Sequence, residues 1–290
     1  MSTYDIKLRA SAQKAGNIVC MGLDPVVDAL PFAGRGFYER AVESFARLFE
    51  MMGKRGLSVA AFKPNIGYWH AEDKPRSSNF DGSRALSAVL DLVAEHFPGT
   101  PVILDSKRGD IATSSHNYAR EAFERWGLDA VTVAPYMGSD SLLPFIDFSG
   151  DGGLYILNRT SNPGGKDLQN LPLADGRPLY MEVARQIAAY NARSGRVGAV
   201  VGATNLAELE MIARFYKDEQ VPLLIPGVGS QGGSASDVKA ILSALGYPLE
   251  LVRINSSSAL THPWKRGPAP DDWLEQCLAN IGSLIEEARL

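Results

Sequence analysis

Pro101-Val-Ile-Leu-Asp-Ser-Lys-Arg-Gly-Asp-Ile-Ala-Thr113 begins as a short apolar strand and ends abruptly in charge. Val102 to Leu104 suit a strand buried on both faces, and Asp105, Lys107 and Asp110 follow at once. A strand made only for packing would not end in three alternating charges. Asp105 and Lys107 are two apart, so an extended backbone projects them from one face. Asp110 lies beyond the strand, after Gly109 has let the chain bend. A lysine held between carboxylates stays protonated and is placed to deliver a proton. The segment therefore predicts acid chemistry at a charged substrate.

Seven further apolar bursts surround this one, and together they occupy 18–23, 59–62, 102–104, 130–134, 154–157, 197–201, 223–225 and 251–254. They are short, nearly unbroken, and rich in Val, Ile and Leu, as parallel strands buried on both faces are. Segments with apolar residues at three-to-four spacing separate them, at 37–54, 83–96, 114–126, 179–194, 206–217, 236–245 and 272–288. A brief helix at 139–145 fills the shorter gap between strands four and five. Strict alternation of strand and helix implies a parallel sheet. Eight such units predict an α/β fold, a (β/α)8 TIM barrel, with an extra N-terminal helix at about 4–14 closing its bottom. No composition break marks a second domain, so residues 1–290 are expected to form a single barrel domain. The stretch 72–81 is polar, contains Pro75, and reads as an exposed loop.

Composition narrows the function. The chain has 290 residues, 45% hydrophobic and 21% charged, with a net charge of −4. That balance argues against nonspecific nucleic-acid binding. The aromatic residues are dispersed and offer no stacking platform for bases. No apolar run reaches the roughly 18 residues that a membrane span needs, and the N-terminus has no signal-peptide core. A cytoplasmic protein with no nucleic-acid or membrane partner is expected. Cys20 and Cys277 lie in unrelated segments and read as reduced, buried thiols. His70, His96, His116 and His262 are scattered without metal spacing, so no metal site is expected.

The strand ends carry a separate signal. They read Asp24, Lys63, Asp105 with Lys107, Pro135 with Tyr136, Arg159 with Thr160 and Ser161, Thr204, Gly227 with Gly229, and Asn255. Polarity collects at the C-terminal rim, where barrel active sites lie. Lys63 should face Asp105 from the neighbouring strand, about 4.8 Å away. One such contact at 4 Å is worth about 4 kcal/mol before desolvation, at an effective dielectric near 20. A structural salt-bridge network at the barrel mouth is the alternative reading; a solvated charge run would not need Asp105 directly on an apolar strand. After strand seven, Pro226-Gly-Val-Gly-Ser-Gln-Gly-Gly233 leads into a helix. Gly227, Gly229 and Gly232 satisfy G-x-G-x-x-G, but a dinucleotide fingerprint follows the first strand of its unit. A phosphate cradle after strands seven and eight is the better reading.

In order and on the expected strands, seven motifs resemble orotidine 5′-phosphate decarboxylase, in its longer bacterial subgroup. They are Gly22-Leu-Asp-Pro25, Phe62-Lys-Pro64, Leu104-Asp-Ser-Lys-Arg-Gly-Asp-Ile111, Pro135-Tyr-Met-Gly138, Arg159-Thr-Ser-Asn-Pro-Gly164, Val201-Gly-Ala-Thr204 and the glycine loop. The resemblance runs from about Cys20 to Leu260. It implies decarboxylation of orotidine 5′-monophosphate to UMP without a cofactor. Lys107 would protonate C6, Asp105 would lie near the leaving carboxylate, and Lys63 would tie the ribose to Asp105. Asp24 would bind a ribose hydroxyl, Ser161 would read the pyrimidine edge, and Gln231 would help close over the phosphate, beside Gly229 and Gly232. Asp110 and Ile111 would reach into the partner's site of a homodimer.

One position departs from that pattern. Ser258 stands where the family's phosphate-holding arginine is expected. The missing charge is then expected from Lys265 or Arg266. Two other functions stay open on the sequence: a metal-dependent sugar-phosphate lyase on the same barrel, and a nucleotide-binding protein without turnover.

Overall fold

A computed structural model describes residues 3–148, 150–229, 232–265 and 267–290. Among them, parallel strands β1 (Val19–Gly22), β2 (Ala61–Lys63), β3 (Ile103–Arg108), β4 (Ala130–Val133), β5 (Gly153–Arg159), β6 (Val197–Val201), β7 (Leu223–Ile225) and β8 (Val252–Ser256) form one sheet. Its order is β2-β1-β8-β7-β6-β5-β4-β3. The two ends of that order meet through parallel bridges of Phe62 with Val102 and Asn65 with Asp105. The Phe62 and Asp105 amides donate across this seam to Pro101 O and Pro64 O, at 3.0 and 2.9 Å. The predicted (β/α)8 barrel is thus closed, with its thinnest joint between β2 and β3.

Helices pack outside because each presents one apolar stripe. In α2 (Phe37–Lys54), Ala41, Phe45, Leu48, Phe49 and Met52 recur at three-to-four spacing and are buried. Phe49 meets Phe62 of β2 at 5.5 Å between ring centroids, edge to face. The helix expected at 114–126 runs as Ala112–Arg120 and then widens into a π-turn, Glu121–Arg125. The brief helix after Gly138 extends to Phe148.

The bottom of the barrel is plugged by α1 (Thr3–Ala15), which sends Tyr4 and Leu8 into an inner cluster with Cys20, Ala61, Ile103, Ala130 and Tyr155. Burying such side chains contributes roughly 1.5–3 kcal/mol each. Arg253 of β8, fully buried, holds the plug: its Nη2 donates to Leu8 O at 2.6 Å and Ser11 Oγ at 2.7 Å. Room for the two tyrosine rings comes from glycines. A Cβ on Gly153 would lie 2.2 Å from Tyr4 Cε1, and one on Gly198 would lie 2.6 Å from Pro222 O and 2.7 Å from Tyr155 Cε1. Both cysteines are free and buried, and burial pushes each thiol up to about 12. No described helix is long and apolar enough to cross a membrane.

Because Gly198 abuts backbone as well as a ring, its contact cannot relax by a simple rotamer change. Gly198→Ala is expected to cost about 1–3 kcal/mol through overpacking. The measurement is a lower urea midpoint with an unchanged slope.

Candidate active site

The C-terminal mouth of the barrel holds a cavity of about 520 Å³, within the range of small-molecule sites. Leu157, Val200, Leu224 and Pro226 make an apolar wall from β5 to β7. Asn255, Ser256, Ser257, Asp24, Lys63, Asp105 and Lys107 make a polar one from β8 round to β3. A flat ring fits the first wall and a polyhydroxylated, charged group fits the second.

The centre of the polar wall is one carboxylate. Lys63 Nζ donates to Asp105 Oδ2 at 2.6 Å, and Lys107 Nζ donates to Asp105 Oδ1 at 2.5 Å. Lys63 is 3% exposed and Asp105 8%. Burial by itself would raise the Asp105 pKa, but the charges and hydrogen bonds of the two lysines hold it well below the ordinary carboxylate range. Burial likewise works against charge on Lys63, yet Asp105 and Asp24 keep its pKa above that of an ordinary lysine. Asp24 is itself fixed by the Asn65 amide, which donates to its Oδ1 at 2.9 Å.

Lys107 reaches Asp105 by a different route from the one simple alternation predicts. β3 does not stay regular: Leu104 pairs with Val131, but the next pair is Arg108 with Val133. Four residues of β3 thus match two of β4, and Lys107 takes a left-handed backbone with φ of 48°. A non-glycine residue there is strained and needs support. Thr132 of β4 supplies it. Its Oγ1 accepts from the Ser106 and Lys107 amides at 3.1 and 3.0 Å and donates to Asp105 Oδ1 at 3.0 Å. That uses the hydroxyl's full capacity, two acceptor sites and one donor. The sequence reading missed Thr132. Its signal was a hydroxyl between Val131 and Val133 in an otherwise apolar strand.

The other expected site residues divide into groups. Ser161 and Ser258 line the cavity with Asp24, Lys63, Asp105 and Lys107. Asp110 and Ile111 do not line it; Asp110 Oδ1 accepts from the Ile111 amide at 2.8 Å, and Ile111 is 49% exposed. Gly229 and Gly232 have positive φ, as expected of a tight turn, but their amides point into their own loop. Gly229 N donates to Gly233 O and Gly232 N to Gly229 O, both at 3.0 Å. Of that loop, Pro226, Gly227 and Val228 reach the cavity wall. Gln231 and Arg266 lie outside the described residues. Lys265 is exposed and not part of the wall. Arg159, at a polar strand end, instead pairs with Glu208 at 2.7 Å behind the wall. Tyr68, Asn65 and His262 join the lining without having been singled out as site residues. Among the described residues, no group of three or more His, Cys, Asp or Glu side chains is placed to hold a metal ion.

Fold and cavity define a (β/α)8-barrel enzyme with paired charges at its strand ends. More narrowly, the chain belongs to the orotidine 5′-phosphate decarboxylase / HUMPS family, whose model matches residues 18–245. Orotidine 5′-phosphate decarboxylase of Cupriavidus metallidurans is 41% identical over 264 residues, 90% of this chain and 89% of its own length. The structure of Leishmania donovani OMP decarboxylase matches with a TM-score of 0.75 at 31% identity, covering 99% of both chains. Leishmania donovani UMP synthase matches with a TM-score of 0.73 at 33% identity, covering 96% of this chain and 55% of that longer one.

Two outcomes test the charge array. Thr132→Val leaves two strand amides unsatisfied and should cost about 1–3 kcal/mol in stability, with kcat falling more than KM rises; Thr132→Ser should restore both. The array also sets a pH window. A depressed Asp105 pKa stabilises the fold above about pH 3.9, and this is lost as pH falls toward the folded value. A raised Lys63 pKa stabilises it below about pH 10.4, and this is lost as pH rises toward the folded value. The contribution of this array to the urea midpoint should be constant between those limits, and Asp105→Asn should make the decline shallower on both sides.

Proposed function

We propose that the protein decarboxylates orotidine 5′-monophosphate to UMP, the last step of making pyrimidine nucleotides de novo. The observation that carries this reading is the Lys63–Asp105–Lys107 array at the floor of a nucleotide-sized cavity, in a chain of this family. The pyrimidine lies against Leu157, Val200 and Pro226, with Ser161 at its edge. The C6–carboxylate bond breaks, CO2 departs, and the electron pair stays on C6. Lys107 Nζ gives that carbon its proton and is later reprotonated by water. The developing carbanion has no ring position to spread into, so a cation held in place beforehand supplies the stabilisation. Asp105 lies beside the departing carboxylate and fixes both lysines, Lys63 ties Asp105 to the ribose, and Asp24 accepts from a ribose hydroxyl. The phosphate is remote from C6, but its binding energy supports orientation. Gly229, Gln231, Gly232 and Ser258 surround it in this reading.

The same reading makes the 290 residues one barrel domain acting in the cytoplasm as a homodimer with shared sites. Asp110 and Ile111 do not line the cavity of their own chain, which supports a contribution to a partner's. Ile111, Tyr136 and Met137 are exposed apolar side chains, the second at 82%, and support an interface there.

Following the absorbance loss of orotidine 5′-monophosphate tests the reaction. Lys107→Ala should lose at least about 10³-fold in kcat. Tight UMP binding without turnover in the wild type would favour a nucleotide-binding role instead. For the shared site, inactive Lys107→Ala and Asp110→Ala proteins should regain activity on mixing, up to roughly a quarter of the sites. No recovery after subunit exchange would exclude a site built from both protomers.

A further inference from the structure

The charges on the described cavity wall cancel. Asp24 and Asp105 are its acids, Lys63 and Lys107 its bases, and both lysines already serve Asp105. The ligand of the proposed reaction brings about three negative charges, from a carboxylate and a phosphate. Enclosing that charge in a neutral cavity is costly unless positive charge arrives with it. The wall near β7 and β8 offers Gly227, Val228, Asn255 and the hydroxyls of Ser256 to Ser258, none of them cationic.

One further lining group can change its charge. His262, 6% exposed, ends the short helix Ser258–Thr261 that follows β8. Its amide donates to Ser258 O at 3.0 Å, one helical turn back, and both residues line the cavity. Its Nδ1 meets Thr261 Oγ1 at 2.9 Å. The second, smaller cavity that His262 also lines holds Ser44, Phe45, Leu48 and Trp273 and, among the described residues, no charged side chain. Asp24, beyond β1, is the charged group that acts on it, and Lys63 and Lys107 share its cavity. Burial lowers the ring's pKa from the ordinary histidine value, and Asp24 opposes that effect.

We propose that His262 is the titratable cation of this cavity: neutral in the free protein, it takes up one proton from solvent when the phosphorylated ligand binds. This inference rests on the reading that the ligand is a nucleoside monophosphate, and it gives the site a charge that Ser258 does not. The proton ends on the imidazole and returns to water when the product leaves. Ligand affinity then falls as pH rises, by about tenfold for each unit by which the anion raises the ring's pKa.

Titration calorimetry with UMP tests this, in buffers of small and large ionisation heat at about pH 7.5, where the nucleotide phosphate is nearly dianionic. The wild type should take up protons with UMP but not with uridine. His262→Gln and His262→Asn should both lose the uptake, weaken UMP binding at lower pH, and approach the wild type at higher pH. Lys265→Ala should keep the uptake. A wild type that binds UMP without uptake overturns the inference and leaves the functional reading standing. So does a folded histidine variant that keeps the uptake, even if it binds weakly at every pH, because that is a packing effect. A wild type that fails to bind UMP overturns the functional reading and this inference with it.

Discussion

The carboxylate of Asp105 is shared by two ammonium groups, and the mouth of the barrel is arranged around that sharing. Two lysines this close would repel one another in the absence of the anion between them. With it, both are held at fixed places, and the pair that is buried, Lys63 with Asp105, interacts more strongly than it would in water. Removing a partner from such a buried arrangement leaves an uncompensated charge. The location adds to the effect. Lys63 and Asp105 flank the β2–β3 seam, where the ladder is reduced to two bridges. The side-chain ion pair therefore spans the weakest joint of the sheet as well as the reacting centre.

The strain at Lys107 belongs to the same arrangement. A regular strand would need no help, but β3 slips against β4 by two residues. The slip brings the Lys107 ammonium onto Asp105 and leaves two amides to be satisfied from outside the ladder. Thr132 satisfies both and also donates to the carboxylate. A single hydroxyl thus links backbone geometry to charge placement. It exemplifies how an active site spends local strain that the surrounding sheet absorbs.

Below this layer the barrel is filled. Tyr4 and Leu8 of α1, Tyr155, and the aliphatic chain and guanidinium of Arg253 occupy the bottom, where Gly153 and Gly198 leave space for rings. Cys20 lies between the two regions and feels both Lys63 above and Arg253 below. With that end filled, the cavity lies at the other end, where the charges are. The wall changes character around its circumference: charges lie on β1 to β3, while Leu157, Val200, Leu224 and Pro226 on β5 to β7 are apolar beneath the polar Thr160, Ser161 and Asn162, which orients an asymmetric ligand before any chemistry begins.

Periodicity and composition in the chain determined the barrel, because eight short apolar runs separated by amphipathic helices have few other ways to bury themselves. That Asp105 gathers Lys107 and, from the adjacent strand, Lys63 likewise followed from order along the chain, although the register shift that brings Lys107 there did not. These features depend on neighbours in sequence or on adjacent strands. Thr132 and His262 were not legible in the same way. One is a threonine in an apolar strand and the other an isolated histidine, and each acquires its role from groups distant in sequence, 27 residues away in the case of Asp105 and most of the chain away in the case of Asp24. The glycine loop was readable as a turn, but only the folded backbone decided that the amides of Gly229 and Gly232 bond within it. Local pattern sets which elements form. Closure of the barrel alone sets which side chains share a cavity, because it joins the first strands to the last.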